Sequence, residues 1–182
     1  MKKYELIGEK RTDGLRQIQR ISDGVVGGWI ESEENLSQAG ACWVSDNARV
    51  FGDAQVYGNA QVFGDAQVSG NAQVSGNAWV SGNAQVFGDA WVFGDAWLSG
   101  NARVSGNAQV SGGEWRSSPL QIQGTRHFCT NSSPGMLSIG CEKHSFSNWA
   151  ENFKAIGERN DYSPAAIAEY SAIIQLFCAI GK

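Results

Sequence analysis

Every sixth residue through the middle of this chain is aliphatic, and that spacing leaves few folds open. From Ala48 the sequence reads Ala48-Arg49-Val50-Phe51-Gly52-Asp53, then Ala54-Gln55-Val56-Tyr57-Gly58-Asn59. The unit Ala-x-Val-x-Gly-[Asn/Asp] continues to Ala108-Gln109-Val110-Ser111-Gly112-Gly113. Cys42-Trp43-Val44-Ser45-Asp46-Asn47 is an imperfect first copy, which makes twelve units over residues 42–113. Alanine and valine two positions apart share one face of a short strand, and the residue between them faces the other way. Glycine followed by Asn or Asp then turns a corner, because both residue types tolerate positive φ. Three corners close a triangular coil of eighteen residues. Stacked coils pair as parallel strands about 4.8 Å apart. No unit buries its valine alone, so the repeats must stack. A disordered tract could share this Gly, Asn, Gln and Ser content, but it would not hold an aliphatic residue at every sixth position.

The coil length sorts the outward residues into three columns. One holds Arg49, Gln67, Gln85 and Arg103; the second holds Gln55, Gln73, Trp91 and Gln109; the third holds Trp43, Gln61, Trp79 and Trp97. Trp43, Trp79 and Trp97, with Trp91 on the next face, are therefore the candidate interaction face. Exposed aromatic columns are usually covered by something. Three occupants fit: the protein itself, through its C-terminal segment or a second subunit; a foreign protein; or a sugar or nucleobase stacked on the indoles.

A solenoid needs both ends covered, or its unpaired strands recruit other chains. Residues 1–41 read as an N-terminal β cap: residues 4–9 and 15–21 form a hairpin around Thr12-Asp13-Gly14, and Gly27-Gly28-Trp29-Ile30 leads toward the first coil. After Gly113 the phase weakens. Glu114 and Arg116 fall where core residues belong, which predicts an intruding loop or edge. Residues 114–182 then read as a small α+β unit. Its strand-like runs cover residues 122–130 and 136–141, with a turn at Asn131-Ser132-Ser133-Pro134-Gly135. One helix carries Phe146, Trp149, Phe153 and Ile156 on a single face, capped by Ser145 or Ser147. A second begins at Ser163-Pro164. The expected fold class is mainly β, a parallel β-solenoid over residues 42–113 with an N-terminal β-hairpin cap and a C-terminal α+β unit.

Composition narrows the function classes. Net charge is −4, so a basic footprint for nucleic acid is missing. Residues 42–113 carry two arginines against five aspartates, far below the charge density of a duplex, which argues against DNA mimicry. No apolar run reaches membrane-spanning length, and the first residues lack the apolar stretch of a signal peptide. The four cysteines, Cys42, Cys129, Cys141 and Cys178, are too scattered for a disulfide framework. A soluble cytoplasmic protein is expected.

The run Leu15-Arg16-Gln17-Ile18, Gly27-Gly28-Trp29-Ile30, Asn35-Leu36-Ser37-Gln38 and Cys42-Trp43-Val44 resembles the YdcK-like hexapeptide-repeat proteins of bacteria, often labelled acyltransferases. The resemblance covers residues 4–47 well and the repeats generically. It implies a left-handed coil, an exception to the right-handed rule for parallel crossovers, and a homodimer or homotrimer. The pattern Gly124-x-Arg126-His127, Ile139-Gly140-Cys141-x-x-His144, Trp149, Ile156-Gly157 and Tyr162 resembles phage and prophage relatives. That resemblance implies a phage context, in which the protein binds or inhibits a host factor such as a defence component.

Acyl transfer on such coils uses a histidine base. The two histidines, His127 and His144, both follow the repeats, and a serine without a base is no nucleophile. Any chemistry belongs to the C-terminal unit. There Arg126, His127, Cys141 and His144 form a candidate ligand site for an anion. His127-x-Cys129 and Cys141-x-x-His144 together offer the donor types of a tetrahedral zinc site, against a plain reading in which the cysteines pack as small apolar residues. No other cofactor is expected. The expected function is that of a non-enzymatic interaction protein with itself and a host protein as partners, and a small-ligand or acyltransferase-like site in the C-terminal unit is the alternative.

Overall fold

The computed structural model describes residues 2–182. The chain folds as two compact units, Met1–Ser118 and Pro119–Lys182. The first is almost entirely β. It contains β1 (Tyr4–Ile7), β2 (Arg16–Arg20) and β3 (Val26–Ile30), a 3-10 turn at Glu33–Asn35, and thirteen two-residue strands from β4 (Trp43–Val44) to β16 (Glu114–Trp115). The short strands pair in parallel with the strand one coil on, and together they form a β-solenoid with seven-, five- and four-stranded faces. Inside it the alanines and valines from Ala48 to Val110 are buried, with Leu98 in one valine position. Backbone bonds of uniform length join the coils, such as Gln61 N–H to Ala78 O at 2.9 Å and Phe63 N–H to Val80 O at 2.9 Å.

β1, β2 and β3 pair antiparallel, and β3 then runs parallel to Arg49–Val50, so the N-terminal strands continue the first face. The buried side chain of Asn35 locks the 3-10 turn to the first coil. Its Oδ1 accepts from Glu31 N–H and Ser32 N–H, and its Nδ2 donates to Gly52 O and Ala54 O.

Glycine is needed for two separable reasons, seen at a coil corner, Gly76, and in the hairpin after β1, Gly8. Gly76 has φ +66, and a Cβ there would lie 2.8 Å from Gly94 N, a backbone atom of the next coil. Gly8 has φ +69 with nothing within 4 Å. Left-handed backbone alone costs about 1–2 kcal/mol. We expect Gly8→Ala to lose about 1 kcal/mol and Gly76→Ala about 2–3 kcal/mol in urea unfolding. Equal losses would show that the coils do not meet as tightly as this spacing implies.

Of the loop or edge expected after Gly113, the structure has an edge: β16 is the last strand of its sheet, and the phase there shifts by one residue. The Gly112-Gly113 corner is short, so Glu114 pairs with Trp97 and points outward while Trp115 pairs with Leu98 and is buried. Trp115 closes the core, and its Nε1 donates to Gly112 O at 2.9 Å.

The second unit is an antiparallel sheet of β17 (Gln121–Gln123), β18 (Phe128–Ser133), β19 (Met136–Ile139) and β20 (Glu142–Ser145), followed by α1 (Phe146–Arg159) and α2 (Pro164–Ile180). The strand expected over residues 122–130 is split by a turn at Gly124, where Gly124 N–H donates to His127 O. Asn131 and Ser132 sit inside β18 rather than in a turn, and β20 was not foreseen. Ser145 caps α1 by accepting from Asn148 N–H, and Ser163 caps α2 by accepting from Ala166 N–H. Cys129, Leu137, Ile139, Trp149, Ile156, Tyr170, Ile174 and Phe177 form this unit's own core.

Candidate functional site

Two places offer something to bind. The first is the third face of the solenoid. Trp79 is 45% exposed and Trp97 40%. Their rings meet edge to face at 5.7 Å, and Phe63 meets Trp79 in the same way at 6.0 Å. On the second face Trp91 is tilted against Phe93 at 4.5 Å. Two of these indoles are pinned by a serine of the preceding coil: Trp97 Nε1 donates to Ser81 Oγ at 3.4 Å and Trp91 Nε1 to Ser75 Oγ at 3.1 Å. The rings are held on a rigid surface with their outer parts in solvent. Trp43 stands in the same column but not in its exposed part. It is only 7% exposed, because Tyr4 packs against its ring and the Arg20 guanidinium lies over it at 4.7 Å. The N-terminal strands had already claimed the first position of the column, which a count along the repeats cannot show.

The faces hold no acid–base pair. Corner aspartates are tied to asparagines one coil away, as Asp65 is to Asn47, Asp89 to Asn71 and Asp95 to Asn77. Such ladders stiffen the coils and leave the carboxylates facing amides.

The second place is a slot in the C-terminal unit. Its walls are apolar, from Ile139, Phe153, Ile156, Ile167 and Ile174, and His127, Cys141, Glu142, Asn160 and Tyr162 stand at its polar end. The cavity measures about 40 Å³. His127 is stacked on Tyr162 at 5.9 Å, and the Arg126 guanidinium lies over the same ring at 4.6 Å while donating to Asp161 O. Burial is the first cause that pushes the Tyr162 hydroxyl up to about 12. The loop that carries His127 is latched by Tyr170, whose Oη accepts from Arg126 N–H and His127 N–H and donates to His127 O. Glu142 accepts from Arg159 at 2.6 Å, from Asn160 at 3.2 Å and faces His144 Nε2 at 2.9 Å. The Arg159 hydrogen bond, then those of Asn160 and His144, hold its carboxyl below the usual range.

Of the ligand residues expected from sequence, the structure brings His127 and Cys141 to one slot and sets Arg126 beside them. His144 does not line the slot; it lies behind two residues that do, facing Glu142 and edge-on against Trp149 at 5.1 Å. The four-residue metal set is not assembled. Cys129 is buried opposite Ile139 in the core, where desolvation pushes its thiol up to about 12, while Cys141 is exposed beyond the end of β19. Among the described residues no three His, Cys, Asp or Glu side chains converge in a way that could hold a metal ion. Sequence reasoning missed Glu142, Asn160 and the Tyr170 latch. Tyr162 stood in the resemblance pattern without a role; its aromatic ring between Arg126 and His127 supplies one.

With the repeat geometry in place, comparison with known families is direct. The coils match the YdcK beta solenoid repeat. The matched segments are residues 44–58, 54–70, 66–82, 72–86 and 96–112. Among curated proteins, the "Uncharacterized acetyltransferase YdcK" of Escherichia coli (strain K12) is 46% identical over 56 residues, covering 27% of this chain and 17% of that protein. The chain thus spans under a fifth of the curated relative it matches. The matched repeat segments lie within the solenoid and end at residue 112, before the C-terminal unit. No described helix is long and apolar enough to cross a membrane.

Proposed function

We propose that this chain is a non-enzymatic interaction protein whose solenoid presents a fixed aromatic ladder to another protein. The observation that carries the reading is the pair Trp79 and Trp97, large apolar side chains that stay in solvent yet are held in place by edge-to-face contacts and a serine hydrogen bond. Rigid, exposed tryptophans are the residue type that dominates binding energy at protein interfaces. A left-handed coil, with β1 to β3 as its N-terminal cap, gives such a ladder a stiff support. The phage setting implied by the C-terminal resemblance would make a host protein in the cytoplasm the partner, with the chain itself a homodimer or homotrimer.

The test compares the wild-type chain with Trp79→Ser/Trp97→Ser as baits in bacterial lysate, with light scattering on both. A partner depleted about 30-fold by the double variant is the expected result. If the captured proteins are the same for both baits, the face is not the binding surface. If the double variant instead dissociates a homo-oligomer, the face serves self-assembly.

A second reading, a small-ligand site in the C-terminal unit, is favoured by the apolar slot. Transfer of an acyl group, the activity in the relative's name, would have to use His127 there, since the coil faces offer no base.

A further inference from the structure

We infer that the slot in the C-terminal unit binds a short aliphatic carboxylate, its chain inside and its head on His127. The inference rests on the second reading above and names the ligand class. The size of the cavity sets the chain length. A void of about 40 Å³ has room for roughly three water-sized groups, so a tail of about three carbons fills it and a long chain does not fit. The isoleucine and phenylalanine walls exclude a polar tail, because a buried hydroxyl or amine would find no partner among them.

The polar end selects the head. His127 is half-buried and held by stacking on Tyr162, and neither ring nitrogen makes a hydrogen bond to any described residue. An imidazole positioned by contacts that use only its face leaves its donor free for a ligand. The charges around it favour an anion. Glu142 already faces Arg159, Asn160 and His144, and Arg126 lies beside His127 over the Tyr162 ring with its Nη1 on a neutral carbonyl, Asp161 O. Glu142 is thus matched by Arg159, the neighbouring Glu169 carboxylate is held by Thr125 N–H and Oγ1–H, and Arg126 is left without an ion pair to either. A carboxylate head gains from that imbalance, and an ammonium head loses.

The test is a titration of the full chain, followed by amide chemical shifts, with acetate, butyrate, octanoate and butan-1-ol as probes. Butyrate should bind saturably at His127 and Ile139, with acetate and octanoate each about tenfold weaker, and His127→Ala should weaken butyrate about tenfold. Ile167→Phe, which fills the half-buried wall, should abolish binding while leaving the remaining shifts in place. Butan-1-ol binding as well as butyrate, or unaffected affinity in His127→Ala, would overturn the carboxylate assignment and leave an apolar slot standing. No saturable shift with any of the four probes would overturn the assignment and the ligand-site reading together. Neither result bears on the tryptophan face.

Discussion

Replacing Trp115 with alanine should cost the solenoid about 3–5 kcal/mol, the range for deleting a buried indole. Trp115 occupies the last inward position of the third face, above Leu98, and is buried on all sides. Its removal leaves a void that two-residue strands cannot collapse into, because each is fixed by backbone bonds to the coil beside it. It also leaves Gly112 O without its indole donor. The loss should be local in a telling way. Solenoid stability is close to a sum of neighbour terms, so the damage should begin at the last coil. Amide exchange is the measurement. Trp97 N–H, bound to Gly113 O, and Ser99 N–H, bound to Trp115 O, should lose protection first, while Gln61 and Phe63 keep theirs. Trp115→Phe should recover most of the loss. An unchanged urea midpoint, or protection lost evenly over all coils, would show that Trp115 does not close this end.

That residue also marks where the sequence stops being readable. The repeat made the coils legible because one requirement recurs: an aliphatic residue inside and a glycine at each corner. Val44 to Val110 could be placed by counting. Counting fails at Gly112-Gly113, where a corner one residue short moves Glu114 outward and Trp115 inward. Nothing in composition distinguishes a lost phase from a shifted one. Trp43 illustrates the second limit. Its place in the column was legible, but the cover supplied by Tyr4 and Arg20 comes from pairing among distant strands. The zinc reading failed for a related reason. Spacing put Cys129 beside His127 on a strand, but the split after Gln123 leaves His127 outside β18, and Cys129 is buried in the core opposite Ile139. The helices were easier, since Ser145 and Ser163 announce them by cap chemistry that is local.

The C-terminal site depends on a latch rather than on a motif, and breaking that latch should have the largest effect on the site. Tyr170→Phe keeps the ring and removes one oxygen. That oxygen accepts from Arg126 N–H at 3.0 Å and His127 N–H at 2.6 Å, and it donates to His127 O at 3.1 Å. His127 O retains Gly124 N–H as a partner, but the two backbone donors are left with none. Orphaning a fully buried donor costs about 1–3 kcal/mol; these two are only part-buried, so the expected loss is about 1–3 kcal/mol for the pair together. For a unit of this size that lowers the melting temperature by on the order of 5–20 °C. The same change bears on the slot. His127 and Arg126 share the Tyr162 ring only while the loop from Gly124 is held down. Release of Tyr170 should therefore raise exchange at both amides and weaken butyrate binding, although the Tyr170 ring still lines the slot and only its hydroxyl is removed. A melting temperature within about two degrees of wild type, with His127 N–H still protected, would mean that the stacking on Tyr162 suffices to hold the loop and that Tyr170 acts only as core.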